Sequence, residues 1–567
     1  MGEMRGMDAA EFDYVVVGGG TSGAALAARL GEREDRTTCL LEAGGADSHP
    51  FIHVPSFVAA AIHTKSLNWN FATVPQPGMA GRPIPLPRGK VLGGSGSING
   101  MVYFRGHPTD YDDWADAGAT GWSYAEVLPY FTRTENNENY PESVFHGKGG
   151  PINVKVVDNP NALNYAFMDG LASLQFPACP DFNGPNSEGY GRRQGLMRAG
   201  RRESTSINML RPALKRGNVH VQTGAPVRRV LVDKGRATGV ELLDGRIVRA
   251  RHEVVLCAGA VQTPQILLLS GIGPGAHLQE MGIELVKDVA GVGANYHDHV
   301  ASPVHMETAN TTSYGLSLPA LPRDIFQLFQ YILTRKGPLA GNVFESVAFL
   351  RTDPALARPD VQFVFQPAKR LTTKIPFPVG HGYAISPVSL YPKARGTLRL
   401  ASPDPAAAPL IDPRLLAEDG EIDCLIRAIK IARKVFASDA FARFSGVEVA
   451  PGPEVQSDAE IDAYIRSTGY TVHHPVGTCR MGSDAAAVVD PQLRFNGIVG
   501  LRIADASVMP SIVGGNTNAP CVMIAERAAD FILGKPALPA AELPPESVAR
   551  YKPAPKKAAP RSKKKAA

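Results

Sequence analysis

"DYVVVGGGTSGAALAARL", residues 13–30, decides the fold. Asp13 to Val17 is rich in β-branched residues, as suits a strand buried on both faces of a parallel sheet. Gly18, Gly20 and Gly23 then fall at the spacing G-x-G-x-x-G. In such a turn the first glycine allows the tight bend. The second lets backbone approach a pyrophosphate, and the third lets the next helix pack close on the strand. The helix that follows aims its positive N-terminal end at the phosphates. A second strand, "TTCLLEAGG", ends in Glu42, 19 residues after Gly23. A carboxylate there can accept both ribose hydroxyls of an adenosine. Strand, glycine turn, helix and acid together read as a dinucleotide cradle, a unit that NAD, NADP and FAD all use.

The totals agree with an ordinary globular chain of several domain-sized units. The chain has 567 residues, 44% hydrophobic and 20% charged, with 57 glycines and 47 prolines that announce many turns and ordered loops. Its net charge of +5 is misleading, because residues 550–567, "RYKPAPKKAAPRSKKKAA", hold eight Lys/Arg and no acid, leaving −3 for the rest. A Lys/Pro/Ala run cannot bury a core, so residues 536–567 are expected to form a disordered, solvated basic tail. No basic groove with interleaved aromatics is present, so no specific nucleic-acid partner is expected. Six scattered cysteines without a CxxC argue against a disulfide framework or a zinc site, and no metal is expected. The N-terminal segment has acids and no apolar core before the first strand, and no stretch of about 18 apolar residues occurs. The expected location is cytoplasmic, with at most peripheral contact at the inner membrane through the basic tail.

A second glycine-rich stretch, "PRGKVLGGSGSINGMVYFRGHPTDYDDW" (87–114), frees several backbone N–H groups around Gly93, Gly94 and Gly96. A simple NAD dehydrogenase has no need of a second cradle, whereas a larger buried cofactor does. At this point the chain resembles the glucose–methanol–choline oxidoreductases. Four stretches carry the likeness: 13–45, 88–106, "GAVQTPQILLLSGIG" (259–273), and "HPVGTCRMG…LRIADASVMPSIVGGNTNAP" (474–520). They occur in the family's order, and the likeness runs from about residue 12 to 535.

The resemblance implies an α/β fold: a Rossmann-type FAD-binding domain interleaved with an α+β substrate domain built on an antiparallel sheet. The FAD-binding domain is expected from 10–155, 215–310 and 470–535, and the substrate domain from 156–214 and 311–469. Gly18, Gly20 and Gly23 would face the pyrophosphate and Glu42 the ribose. Trp69 would stand beside the cofactor. Gly93, Gly94, Asn99, Gly100, Met101 and Val102 would line the flavin. Val227 would hold the adenine through its backbone, and Asp505 and Ala506 would close over phosphate and ring. Some relatives attach FAD through a histidine just before the asparagine of the second motif. That position is Ile98 here, so the FAD is expected to be noncovalent.

"TVHHPVGTCRMG" (471–482) pairs two histidines before a proline. A residue before proline is pushed to extended geometry, where neighbouring side chains point to opposite faces. His473 and His474 are therefore not expected to share a site. The resemblance makes His474 the catalytic base and Asn518 its partner. The implied reaction is oxidation of a primary alcohol to an aldehyde. His474 would take the hydroxyl proton and Asn518 would donate to the developing alkoxide, with hydride passing to flavin N5. The electron acceptor stays open between a quinone, another carrier and oxygen. A flavin lyase or photodecarboxylase on the same fold is the alternative.

Three further expectations concern local structure. "HGYAISPVSLYPKARGTLRLAS" (381–402) reads as two strands joined by a turn at "KARG". "EIDCLIRAIKIARKVFAS" (421–438) reads as an amphipathic helix. Thr263 and Pro264 suit a helix start. Glu345 could meet a cationic headgroup, but a salt-bridged structural acid is the favoured reading.

Overall fold

The computed structural model describes residues 9–369 and 378–545. Its first sheet is built around Ala9–Val17. The order is Val219–Thr223, Thr38–Glu42, Ala9–Val17, Ile247–Leu256, Arg236–Leu242 and Val227–Asp233, with Leu501–Ile503 also paired to Ile247–Leu256. The first four strands and Leu501–Ile503 run parallel, while the last two form an antiparallel hairpin at one edge. Val15, Val16 and Val17 are buried, as are all five residues of Thr38–Glu42, so this sheet is covered on both faces.

The helix Thr21–Leu30 lies against it through Ala24, Ala25, Leu26 and Ala27, all without exposed surface. Gly23 makes that approach possible, since a Cβ there would sit 1.9 Å from the Gly18 carbonyl oxygen. The C-terminal helix Asn518–Leu533 packs on the same helix and is tied to it by Ser22 Oγ donating to the Cys521 carbonyl (3.0 Å) and Arg29 Nε donating to Glu526 Oε1 (2.7 Å).

A second sheet, antiparallel throughout, runs Val447–Ala450, Val304–Thr308, His381–Ser389, Val361–Gln366, Ser346–Leu350 and Gly189–Arg192, with Val300–Ala301 and Tyr470–Thr471 attached. The period of two divides its faces. Phe363 and Phe365 turn to a core under the helices Ala162–Ser173 and Asp423–Phe436, where Phe365 stacks on Phe167 at 4.9 Å. Val364 and Gln366 turn the other way, into a large cavity between the sheets. The second sheet thus draws strands from 300–308 and 470–471, segments that the sequence reading gave to the first unit.

Three local expectations are corrected. The segment 381–402 is not one hairpin: Thr397–Arg399 pairs with Leu410–Asp412, and the chain leaves the large sheet where Glu421 Oε1 accepts from the N–H groups of Lys393 and Ala394. The helix of the third motif begins at Gly259, with Pro264 inside it. Proline can stand there because the Ala260 carbonyl, robbed of its usual helical donor, accepts instead from Thr478 Oγ1 at 2.7 Å. Residues 536–545 lie along the body, where Leu538 and Leu543 pack on the core and the Ala541 N–H donates to Ala125 (2.8 Å). The expectation of disorder for 546–567 lies outside the described residues.

Candidate active site

A cavity of about 900 Å³ opens at the carboxyl ends of the parallel strands and extends to the inner face of the second sheet. Gly18, Gly20, Glu42, Trp69, Gly94, Asn99, Gly100, Val102, Val227, Asp505 and Ala506 all line it. Gly23, Gly93 and Met101 do not. Gly23 serves helix packing. The Gly93 N–H donates to the Gly19 carbonyl (2.7 Å), and Met101 is buried with its carbonyl accepting from Leu196 (2.9 Å).

The two glycine stretches meet. A Cβ on Gly94 would fall 2.7 Å from Gly20 Cα, so the two backbones form one narrow trough with no side chain to fill it. Glu42 braces the trough: one carboxylate oxygen accepts from Gly19 N–H (2.8 Å) and the other from Gly44 N–H (2.7 Å). Burial pushes this carboxyl up to about 7, against those two hydrogen bonds. Asp505 ties the third motif to the last one, accepting from Gly259 N–H (2.8 Å) and Thr263 Oγ1 (2.6 Å) on one oxygen and twice from Ser507 on the other. This long, glycine-floored cleft fits an extended FAD. Ile98 lines it with an aliphatic side chain that has no atom able to bond a flavin covalently.

At the far end of the cleft stands His474. Its backbone N–H donates to Asp298 Oδ1 (2.7 Å). Its Nδ1 lies 3.1 Å from His299 Nδ1, and His299 Nε2 lies 3.0 Å from the Leu390 carbonyl. A carbonyl only accepts, so His299 carries its proton on Nε2 and accepts at Nδ1. His474 must then be protonated on Nδ1, which leaves a lone pair on Nε2. The amide nitrogen of Asn516 lies 3.0 Å from that Nε2. Burial, followed by His299, Arg88 and His473, holds the His474 imidazole well below its ordinary value, so it stands neutral. Burial likewise lowers His299 to about 4. The site therefore presents an oriented, uncharged base with an amide donor beside it.

Asn516, not Asn518, stands beside His474. Asn518 opens the C-terminal helix and turns its amide to Thr21 Oγ1 (3.1 Å), near Gly96 and the glycine trough. The expectation about the paired histidines is also corrected. His473 adopts φ +66, a left-handed conformation, so the segment is not extended and both rings line the same cavity. Arg88 holds this bend by donating to the His473 carbonyl at 2.5 Å. Asp298 and His299 went unnoticed in the sequence, although "HDH" at 297–299 is a dense cluster of titratable residues. Glu345 does not reach the cavity. It is buried and accepts from Asn161 N–H (3.0 Å), Asn164 Nδ2 (2.6 Å) and Tyr314 OH (2.8 Å), so it is structural by hydrogen bonding rather than by a salt bridge. Among the described residues no cluster of three or more His, Cys, Asp or Glu could hold a metal ion.

Two family models, both described as GMC oxidoreductase, match residues 12–301 and 392–525. The chain belongs to the GMC oxidoreductase family. It is 41% identical over 529 residues to an alcohol dehydrogenase (acceptor) of Pseudomonas putida, covering 92% of this chain and 96% of that one. It is 41% identical over 534 residues to an oxygen-dependent choline dehydrogenase of Rhizobium etli, again 92% and 96%. Among solved structures it resembles pyridoxine 4-oxidase from Mesorbium loti (TM-score 0.82, 32% identity, 91% of this chain and 98% of that one). It also resembles a formate oxidase (TM-score 0.86, 25% identity, 93% and 99%). This GMC oxidoreductase uses FAD and oxidises alcohols. No helix among the described residues is long and apolar enough to cross a membrane.

Proposed function

We propose that this enzyme oxidises an uncharged primary alcohol to its aldehyde, with His474 as base and Asn516 as the donor to the alcohol oxygen. The observation that carries the reading is the hydrogen-bond chain Leu390–His299–His474–Asn516, which puts the proton on His474 Nδ1 and leaves Nε2 an acceptor, held by the Asn516 amide until an alcohol hydroxyl takes that place. FAD, when bound, supplies the hydride acceptor. His474 Nε2 takes the hydroxyl proton as the carbon–hydrogen bond gives up its electron pair. The Asn516 amide steadies the charge that gathers on oxygen, and the aldehyde leaves. The glycine trough, Glu42, Trp69, Val227, Asp505 and Ala506 would hold the cofactor, without a covalent link.

The second-sheet side of the cavity supports an uncharged substrate. Val343, Phe344, Val364, Val388 and Val472 line it, and the lining carboxylates, Glu42 and Asp505, belong to the cofactor end. Among the described residues nothing there would neutralise a quaternary ammonium, and no cage of aromatic rings surrounds the space. A quinone or similar carrier is the proposed acceptor. The proposed division into a discontinuous FAD unit and a substrate unit follows the two sheets once 300–308 and 470–471 are moved to the second. The Lys-rich tail is proposed to give at most peripheral contact with anionic lipid.

The test is anaerobic mixing of the yellow protein with primary alcohols and choline. Bleaching near ~450 nm by uncharged alcohols, and not by choline, is the expected result. A spectrum that no alcohol changes would move the enzyme to lyase or photochemical activity. Admitting air after bleaching separates oxygen from other acceptors.

A further inference from the structure

The helix Leu321–Thr334 is built inside out. Leu321, Ile325, Phe326, Phe329, Ile332 and Leu333 all face solvent, Phe326 at 67% exposure and Leu333 at 80%. At about 100° per residue they form one continuous apolar arc. The polar side faces the body and is hydrogen-bonded to it: Tyr331 OH donates to the Gly200 carbonyl (3.0 Å), and Arg323 donates to the Thr311 carbonyl. The orientation is thus fixed from within. The apolar surface continues into Leu318 and Val379, both exposed.

The patch borders the mouth of the active-site cavity. Pro378, beside Val379, lines that cavity, as do Val343 and Phe344 on the chain that leaves the helix. Cations edge the patch at its far end. Arg335 and Lys336 follow the helix, and Arg201 comes just after the turn whose Gly200 receives Tyr331. All three are exposed, and none pairs with a carboxylate among the described residues. Exposed apolar area of this extent marks an interaction surface. Apolar side chains flanked by cations are the chemistry of a helix lying at the headgroup–acyl boundary of an anionic membrane.

We propose that this face seats the enzyme on the surface of an anionic phospholipid bilayer, with the cavity mouth turned to the lipid. The claim stands on the surface alone and does not depend on the alcohol assignment. Its consequence is that an apolar alcohol dissolved in the membrane reaches His474 without crossing bulk water.

The test is flotation of FAD-loaded, full-length protein with vesicles of phosphatidylcholine, with and without phosphatidylglycerol. Wild type should float with the phosphatidylglycerol vesicles. A Phe326→Ser/Phe329→Ser/Leu333→Ser variant that keeps its flavin spectrum should bind more than about tenfold less. Arg335→Glu/Lys336→Glu should lose the preference for phosphatidylglycerol. Neutralising the tail (Lys556, Lys557, Lys563, Lys564 and Lys565 to Gln) should leave flotation in place. The proposal is overturned if wild type does not float, if the triple serine variant floats as well as wild type, or if only the tail variant loses binding. It is overturned equally if the serine substitutions turn a lipid-indifferent dimer into a monomer, since a second copy would then be what covers the face.

Discussion

His299 Nδ1 stands 3.1 Å from His474 Nδ1, and its other nitrogen stands 3.0 Å from the Leu390 carbonyl. This pairing sets which nitrogen of His474 is free to take a proton. In the proposed mechanism His299 is a positioning residue, since it touches the reaction only through His474.

Replacing His299 by Ala should lower kcat by about 10–100-fold, the range typical of a lost hydrogen-bond orienter. KM should change little and FAD content not at all. Flavin reduction traces beside a thermal melt would separate this from unfolding. A variant with normal kcat would show that His474 needs no such partner.

Asn516 and Asn518 give a direct contrast. Asn516→Ala should cost about 10²–10³ in the rate of flavin reduction, as for loss of one preorganised donor. Asn518→Ala touches the trough instead and should weaken FAD retention more than the chemical step. Single-turnover rates on fully loaded protein distinguish them. The opposite ranking would return the donor's role to Asn518.

Asp298 predicts a pH dependence. Burial lifts its carboxyl to about 7 from 3.8, while the His474 N–H and Arg88 pull the other way. A raised folded value means that its contribution to stability is full below about pH 4 and is lost as pH rises through 7. At about 1.4 kcal/mol per unit, the loss is on the order of 4 kcal/mol. Above pH 7 the carboxylate's charge favours the imidazolium that forms on His474, so kcat/KM should rise through that value. Asp298→Asn keeps an acceptor for both N–H groups and should flatten the two profiles together. An unchanged activity inflection in this variant would assign it elsewhere.

Gly23→Ala would place a methyl group 1.9 Å from the Gly18 oxygen, so helix and strand must separate. The expected loss is about 3 kcal/mol, with FAD released. Chemical denaturation measures the first and the visible spectrum the second. A stable, yellow Gly23→Ala protein would contradict the packing described here.

The sequence made the cofactor cleft readable because its signals are local. The first glycine turn, the acid that braces it and the small residues of Thr21–Leu30 lie within a short span of chain, and the other wall of the trough carries a glycine-rich signal of its own at 87–106. Failures came where long-range contacts decide. Whether Asn516 or Asn518 meets the base depends on where the last helix starts, and "GGNTNAP" does not say. The bend at His473 is held by Arg88, 385 residues away. Thr397–Arg399 looked like the return strand of a hairpin, but Glu421 captures the intervening backbone. The periodicity of Leu321–Thr334 shows two faces and is silent on which one the body accepts.

The central claim is that His474 Nε2 receives the substrate proton. Stopped-flow reduction of FAD-loaded His474→Gln by the best alcohol, without oxygen, tests it most directly. The account predicts a correctly folded yellow protein whose flavin bleaches about 10²–10⁴-fold more slowly than wild type. Bleaching at the wild-type rate would contradict it.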